Sequence, residues 1–267
     1  MKRLFIYGLL ALSGSIGFMW SCDRPESVTP SGQLQIRFDN VAGNQDLKLT
    51  TDSYKNSSGE TFNVTLFNYY ISNIRLRKAD GTEYTVPQDS SYFLVKESDP
   101  ASQLITLRNI PVGDYTSLTY LVGVDSLRNT MDISKRTGVL DPAGGHLGGM
   151  YWNWNSGYIF LKLEGSSPQI TKETGNTFTY HIGLFGGYSG RTLNNLKTIT
   201  VAFKGTIAQV SETKVPQVMI KADVLRVFDG PNRLSLRQYS DIAVANVSAE
   251  VAANYAQMFE FTGLKAN

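Results

Sequence analysis

Apolar and polar residues alternate strictly over Gln33-Leu34-Gln35-Ile36-Arg37-Phe38-Asp39, which predicts a strand with Leu34, Ile36 and Phe38 on its inner face. The same period recurs through Phe62, Val64 and Leu66, and again over residues 69–76. Asp80-Gly81 is a hairpin signal and predicts a turn back into Tyr84-Thr85-Val86. Residues 92–95 and 104–107 read as short strands, and Pro111-Val112-Gly113-Asp114 as a tight turn. Residues 115–124, 177–183, 198–203 and 217–228 are further strands by the same alternation.

The densest apolar stretch is Met150-Tyr151-Trp152-Asn153-Trp154-Asn155-Ser156-Gly157-Tyr158-Ile159-Phe160-Leu161-Lys162-Leu163-Glu164. As one strand it would place Trp152, Trp154, Tyr158 and Phe160 on one face and Ile159, Leu161 and Leu163 on the other. A strand apolar on both faces belongs in the middle of a sheet. Ser156-Gly157 marks a bend or bulge within it. Residues 125–149 precede it with five of the 24 glycines and little periodicity, which predicts a long loop. Gly186-Gly187-Tyr188-Ser189-Gly190 reads as a second flexible loop.

Only after Asp229-Gly230-Pro231 does the period change. Val247, Val251, Tyr255, Met258 and Phe259 recur at three or four, which predicts a helix capped by Ser248 and ended at Gly263. The whole is therefore expected to be all-β: one antiparallel β-sandwich or open barrel with a C-terminal helix. Eleven per cent aromatic residues support that choice.

The first residues have a different pattern. Lys2-Arg3 precede an apolar run over residues 4–12, then small residues and Cys22, the single cysteine. This order is that of a secretory signal. Met19-Trp20-Ser21-Cys22 resembles a bacterial lipobox, which implies a lipidated Cys22 as the mature N-terminus. The expected organisation is a signal peptide at 1–21, a polar, proline-bearing tether at 22–32 and a β domain at 33–267. The lipid would hold the protein outside the cytoplasm, on the outer or cell membrane.

Removing the signal takes two of the 25 basic residues and no acid, so bases and acids balance at 23 each. No basic field remains to recruit nucleic acid.

Two histidines limit the chemistry. There is no Gly-x-Ser-x-Gly elbow, zinc-cluster spacing, phosphate loop or dinucleotide fingerprint, so the chain is not read as an enzyme. Metal binding is the sharper idea. Imidazole suits copper and thioether sulfur suits Cu(I), which makes His181, His146 and Met150 the candidate ligands. The competing reading leaves His181 a hydrogen-bonded strand residue, His146 an exposed loop residue and the tryptophans in the core.

The block from Met150 to Gly165 resembles the signature of the MbnP-like copper-binding family. So do Tyr69-Tyr70-Ile71-Ser72-Asn73-Ile74-Arg75-Leu76, Gly123-Val124-Asp125-Ser126 and Phe178-Thr179-Tyr180-His181-Ile182-Gly183, in the same order. The resemblance implies a β-rich extracytoplasmic lipoprotein that binds copper through histidine and a tryptophan oxidised to kynurenine by a MauG-like di-haem partner. By matching, His181 is a ligand, Trp152 or Trp154 the modified residue, and Tyr158 a site-lining one. Two departures stand out: Asn129-Thr130 occupies the place of an Asn-His pair, and the chain ends in Thr262-Gly263-Leu264-Lys265-Ala266-Asn267 rather than His-x-His. A non-metal ligand-binding or structural surface lipoprotein of the same fold, its aromatic pair serving as a platform, is the alternative.

Overall fold

A computed structural model describes residues 29–142, 149–152, 155–171 and 175–265. The signal at 1–21, Cys22, most of the tether, His146 and Trp154 lie outside the described residues.

In chain order the strands are β1 (Ser31–Ala42), β2 (Gln45–Asp46), β3 (Tyr54–Lys55), β4 (Thr61–Lys78), β5 (Glu83–Thr85), β6 (Tyr92–Lys96), β7 (Leu104–Pro111) and β8 (Gly113–Val122). A one-turn helix α1 (Ser126–Thr130) follows. Then come β9 (Leu161–Ser166), β10 (Thr177–Ile182), β11 (Lys197–Ala202), β12 (Ala208–Val210) and β13 (Gln217–Asp223). The chain continues through α2 (Leu225–Phe228), β14 (Asp241–Ile242), α3 (Ser248–Tyr255) and β15 (Phe259–Lys265).

These strands make two sheets. The smaller runs β15-β13-β1-β2, with β7 also on β1, and the larger runs β11-β8-β4-β9-β10-β14 with four short strands on β4 and β8. Most pairs are antiparallel, but β1 with β13 and β10 with β14 are parallel. Phe38 of β1 meets Tyr69 and Tyr120 of the larger sheet edge-on at 6.0 and 5.9 Å, which locks the two inner faces together. The predicted β-sandwich with a C-terminal helix is what forms.

Four local expectations change. The strand predicted at 217–228 ends at Asp223, and residues 225–228 form the short helix α2. The two strands predicted at 61–66 and 69–76 are one 18-residue strand, β4. Asn68 does not break it, because its backbone pairs with Lys96 on one side and Lys162 on the other. Asn73, at φ 52°, takes up the irregularity in the pairing with β8.

The terminal helix stops at Tyr255, and Met258 and Phe259 lie beyond it; Ser248 is its first residue rather than its cap, and its hydroxyl accepts from Asn195 Nδ2 instead. β15 then pairs with β13 along the edge of the smaller sheet. Phe259 and Phe261 obey a period of two as well as the helical one. Phe259 packs on Phe38, Tyr69 and Tyr120, and Phe261 stacks on Phe203 at 5.4 Å. Sheet closure and ring burial outweigh the weak helical propensity there.

The tryptophan stretch is not one strand. It folds back on itself: Ile159 N–H donates to the Met150 carbonyl at 2.9 Å and Trp152 N–H to the Gly157 carbonyl at 2.8 Å. Gly157, at φ 68°, makes the reversal, so the predicted bend is a full turn. Only residues 161–166 continue as β9, which lies between β4 and β10 inside its sheet; with Lys162 and Glu164 alternating with Leu161 and Leu163, it is apolar on one face only, not on both as expected.

Candidate metal centre

Alternation on β4, β9 and β10 sends Leu161, Leu163, Tyr180 and Ile182 into the inner core. Tyr70, Lys162, Glu164 and His181 therefore lie on the other face. Lys162 sits opposite Asn68 on one side and His181 on the other, and Glu164 opposite Thr179. His181 and Glu164 are diagonal neighbours, and His181 Nε2 lies 2.7 Å from Glu164 Oε1. Lys162 Nζ approaches the same carboxylate oxygen at 3.3 Å and the Gly149 carbonyl at 3.5 Å.

Burial works to raise the Glu164 pKa, but the His181 hydrogen bond and the Lys162 ammonium outweigh it and hold the carboxyl below its usual value. An ionised carboxylate accepts from Nε2–H, which leaves Nδ1 as the lone-pair nitrogen. No described residue hydrogen-bonds to Nδ1.

Two residues after His181, just past the end of β10, stands Gly183. A Cβ there would fall 2.6 Å from the Trp152 six-membered ring and 2.6 Å from the Tyr158 carbonyl. The indole thus lies over the backbone of Gly183, directly after the strand that carries the imidazole. Trp152 is half-buried and packs on a second apolar cluster made by Tyr70, Leu94, Val124, Leu140, Met150, Tyr158, Ile159, Phe160 and Phe185. Met150 is wholly buried in that cluster.

Polar side chains tie the cluster to the sheet. Asn129 Nδ2 donates to the Val124 and Asp125 carbonyls at 2.6 and 3.0 Å, while its Oδ1 accepts from Tyr158 N–H at 2.9 Å. Its carboxamide occupies the space a side chain at Gly157 would need. Arg136 lies over the Tyr151 and Tyr158 rings at 5.3 and 5.4 Å, contacts of about 1 kcal/mol each. Tyr158 and Tyr70 donate their hydroxyls to the Leu140 and Val139 carbonyls. The loop at 186–190, expected to be flexible, is organised by Asn155, whose Oδ1 accepts from the N–H groups of Tyr188 and Ser189 at 2.7 Å each.

The structure thus gathers Met150, Trp152 and Tyr158 in one cluster and sets His181 at its edge. Among the described residues no group of three or more His, Cys, Asp or Glu could hold a metal. Glu164, Lys162, Gly183 and Asn129 were not foreseen as site residues. Lys162 and Glu164 carried a readable signal, since they alternate with Leu161 and Leu163 and must share a face with each other.

A model of the MbnP family matches residues 31–255. Among solved structures, MbnP from Methylosinus trichosporium is similar with a TM-score of 0.50 at 17% identity, over 79% of each chain. At that identity the likeness speaks for the fold. No curated protein matches the chain.

Proposed function

Because the chain belongs to the MbnP family, we propose that it is a membrane-tethered extracytoplasmic copper-binding protein. His181 is a ligand, and Trp152 or Trp154 is the residue that a di-haem partner oxidises to kynurenine. The observation that carries the reading is the Trp152 indole over Gly183, two residues after His181, whose Nε2 is engaged by Glu164. Metal-bound histidines commonly donate their second ring N–H to a carboxylate, which fixes the tautomer and raises ligand basicity. The nitrogen offered to copper is then Nδ1. Bound copper supplies a redox-active cation; the chain's residues hold it and orient the imidazole.

The described residues provide one imidazole, and Met150 adds a thioether only if the apolar cluster opens. The second imidazole of this reading, His146, lies outside the described residues. Lys162 works against a cation at this place, since its ammonium shares the Glu164 oxygen. That contact favours the second reading, a surface lipoprotein of the same fold that binds no metal.

Calorimetric titration of the purified chain with Cu(I) and with Cu(II) separates the two. Copper binding predicts saturable uptake that His181→Ala abolishes and Glu164→Gln weakens roughly 10–100-fold. Heat that never saturates, or uptake indifferent to His181→Ala, ends the copper reading. The tryptic peptide spanning Trp152 and Trp154 reports the modification by the mass gained when one carbon is exchanged for one oxygen. Incorporation of a palmitate analogue that is lost in Cys22→Ala tests the tether.

A further inference from the structure

Beside the tryptophan hairpin, a pocket of about 700 Å³ opens between β6 and the loop that follows α1. Arg128, Lys135 and Arg136 line it together with Tyr92, Phe93 and Leu140. His181, Glu164 and Trp152 do not line it, although its Arg136 and Leu140 also touch the aromatic cluster beside them.

The arginines are mostly committed. Arg136, 8% exposed, donates Nε to the Met131 carbonyl at 3.1 Å. Its Nη2 donates to the Asn129 and Met131 carbonyls at 2.9 and 2.8 Å. Arg128 pairs with Asp89 through Nη2 and contacts the Met131 sulfur through Nη1 at 3.2 Å, with its guanidinium over the Tyr92 ring. One nitrogen is left on each: Arg136 Nη1 and Arg128 Nε are buried and have no hydrogen-bond partner among the described residues.

Lys135 is exposed and makes no ion pair within 4 Å among the described residues. The one acid on the lining, Asp89, is already paired with Arg128. Three cations with two unspent guanidinium donors call for an acceptor that arrives with a guest. Phe93, Val139 and Leu140 on the same walls call for a guest with an apolar body.

We propose that this pocket binds an organic carboxylate. Its oxygens take the spare N–H groups of Arg128 and Arg136, which turn to meet it, and the Lys135 ammonium. Its hydrocarbon part lies against Phe93 and Leu140.

Calorimetry on the full chain with benzoate, its neutral isostere benzamide, octanoate, acetate and inorganic sulfate tests this. Benzoate or octanoate binds saturably, benzamide does not, and acetate and sulfate are at least tenfold weaker. Lys135→Gln and Arg128→Gln each weaken carboxylate binding tenfold or more, while far-UV circular dichroism and the copper titration stay as in the unaltered chain. Failure of every carboxylate to bind, equal binding of benzamide, a preference for sulfate, or indifference to both substitutions would each overturn the assignment.

Discussion

Phe38 and Tyr158 are both fully buried, but different forces hold them. Phe38 sits on a strand whose backbone is paired on both sides, with β13 and β7, and its ring touches three others. Tyr158 sits where the chain reverses. Its N–H goes to the Asn129 side chain, its hydroxyl to the Leu140 carbonyl, and the Arg136 guanidinium covers its ring. The inner core is thus a ladder structure that any suitable alternation could build. The outer cluster is fastened by a few named side chains that reach across long stretches of sequence. The candidate metal centre lies beside the second kind of region, where one substitution can shift an aromatic ring without unfolding the sheets.

The contrast is broken most strongly at Phe38. Phe38→Ala removes a ring from between the sheets and costs about 3–5 kcal/mol. Urea denaturation should show the whole loss in one transition, with both regions unfolding together. Asn129→Ala is the matching cut in the outer cluster. It leaves Tyr158 N–H and the Val124 carbonyl without their partner in a buried place, while the Asp125 carbonyl keeps the backbone N–H of residue 129, and costs roughly 3 kcal/mol. Here the effect should be local: hydrogen exchange quickens at residues 157–159 while Leu163 and Tyr180 keep their protection. Uniformly faster exchange would show that the outer cluster is not a separable unit.

That division also explains what was legible in the sequence. Strands β1, β8, β10 and β13 followed from alternation, because a half-buried strand must alternate whatever its partners are. The hairpin at 150–160 did not, because Asn129, 28 residues before Gly157, decides the turn, and a lone asparagine carries no periodic signal. β15 was hidden because Val251, Tyr255 and Phe259 fit a helix as well as Phe259 and Phe261 fit a strand. Only the free edge of β13 selects the second. Within the site, His181 was readable by its residue type, and the aromatic pair by its density. Glu164 as the partner of His181 depends on the register of β9 against β10, which no local pattern fixes.

Gly183 sharpens the contrast within the site itself. Gly183→Ala places a methyl group into the Trp152 ring and the Tyr158 carbonyl, an overpacking cost of roughly 2 kcal/mol. The ring can swing outward more easily than the backbone directly after β10 can move, so the indole should leave its place. Tryptophan emission should shift to the red and copper uptake should fall with His181 intact. Unchanged emission would mean that the indole is not held over Gly183.

The two regions also hold carboxylates that titrate in opposite directions. Glu97 bridges the sheets at the rim of the inner core, its backbone N–H on the Phe67 carbonyl and its carboxylate accepting from Asn40 and Gln103. Burial pushes its pKa up to about 7; Asn40 opposes the rise, and Asp46 and Asp39 add to it. The folded chain therefore keeps a proton that the unfolded chain has released, so this group makes stability fall as pH rises from about 4.5 to about 7. With Glu97 partly open to water, the fall should amount to roughly 1 kcal/mol. Glu164 has the opposite sign. Its lowered pKa gives stability that is complete above the unfolded carboxylate value and is lost as pH falls through the folded one. Urea midpoints followed across this range should flatten between about pH 4.5 and 7 in Glu97→Gln, while Glu164→Gln should change only the acid limb below about pH 4.5. If Glu97→Gln altered the acid limb instead, the rim carboxylate would be ionised throughout, and burial would not be the force that sets its charge.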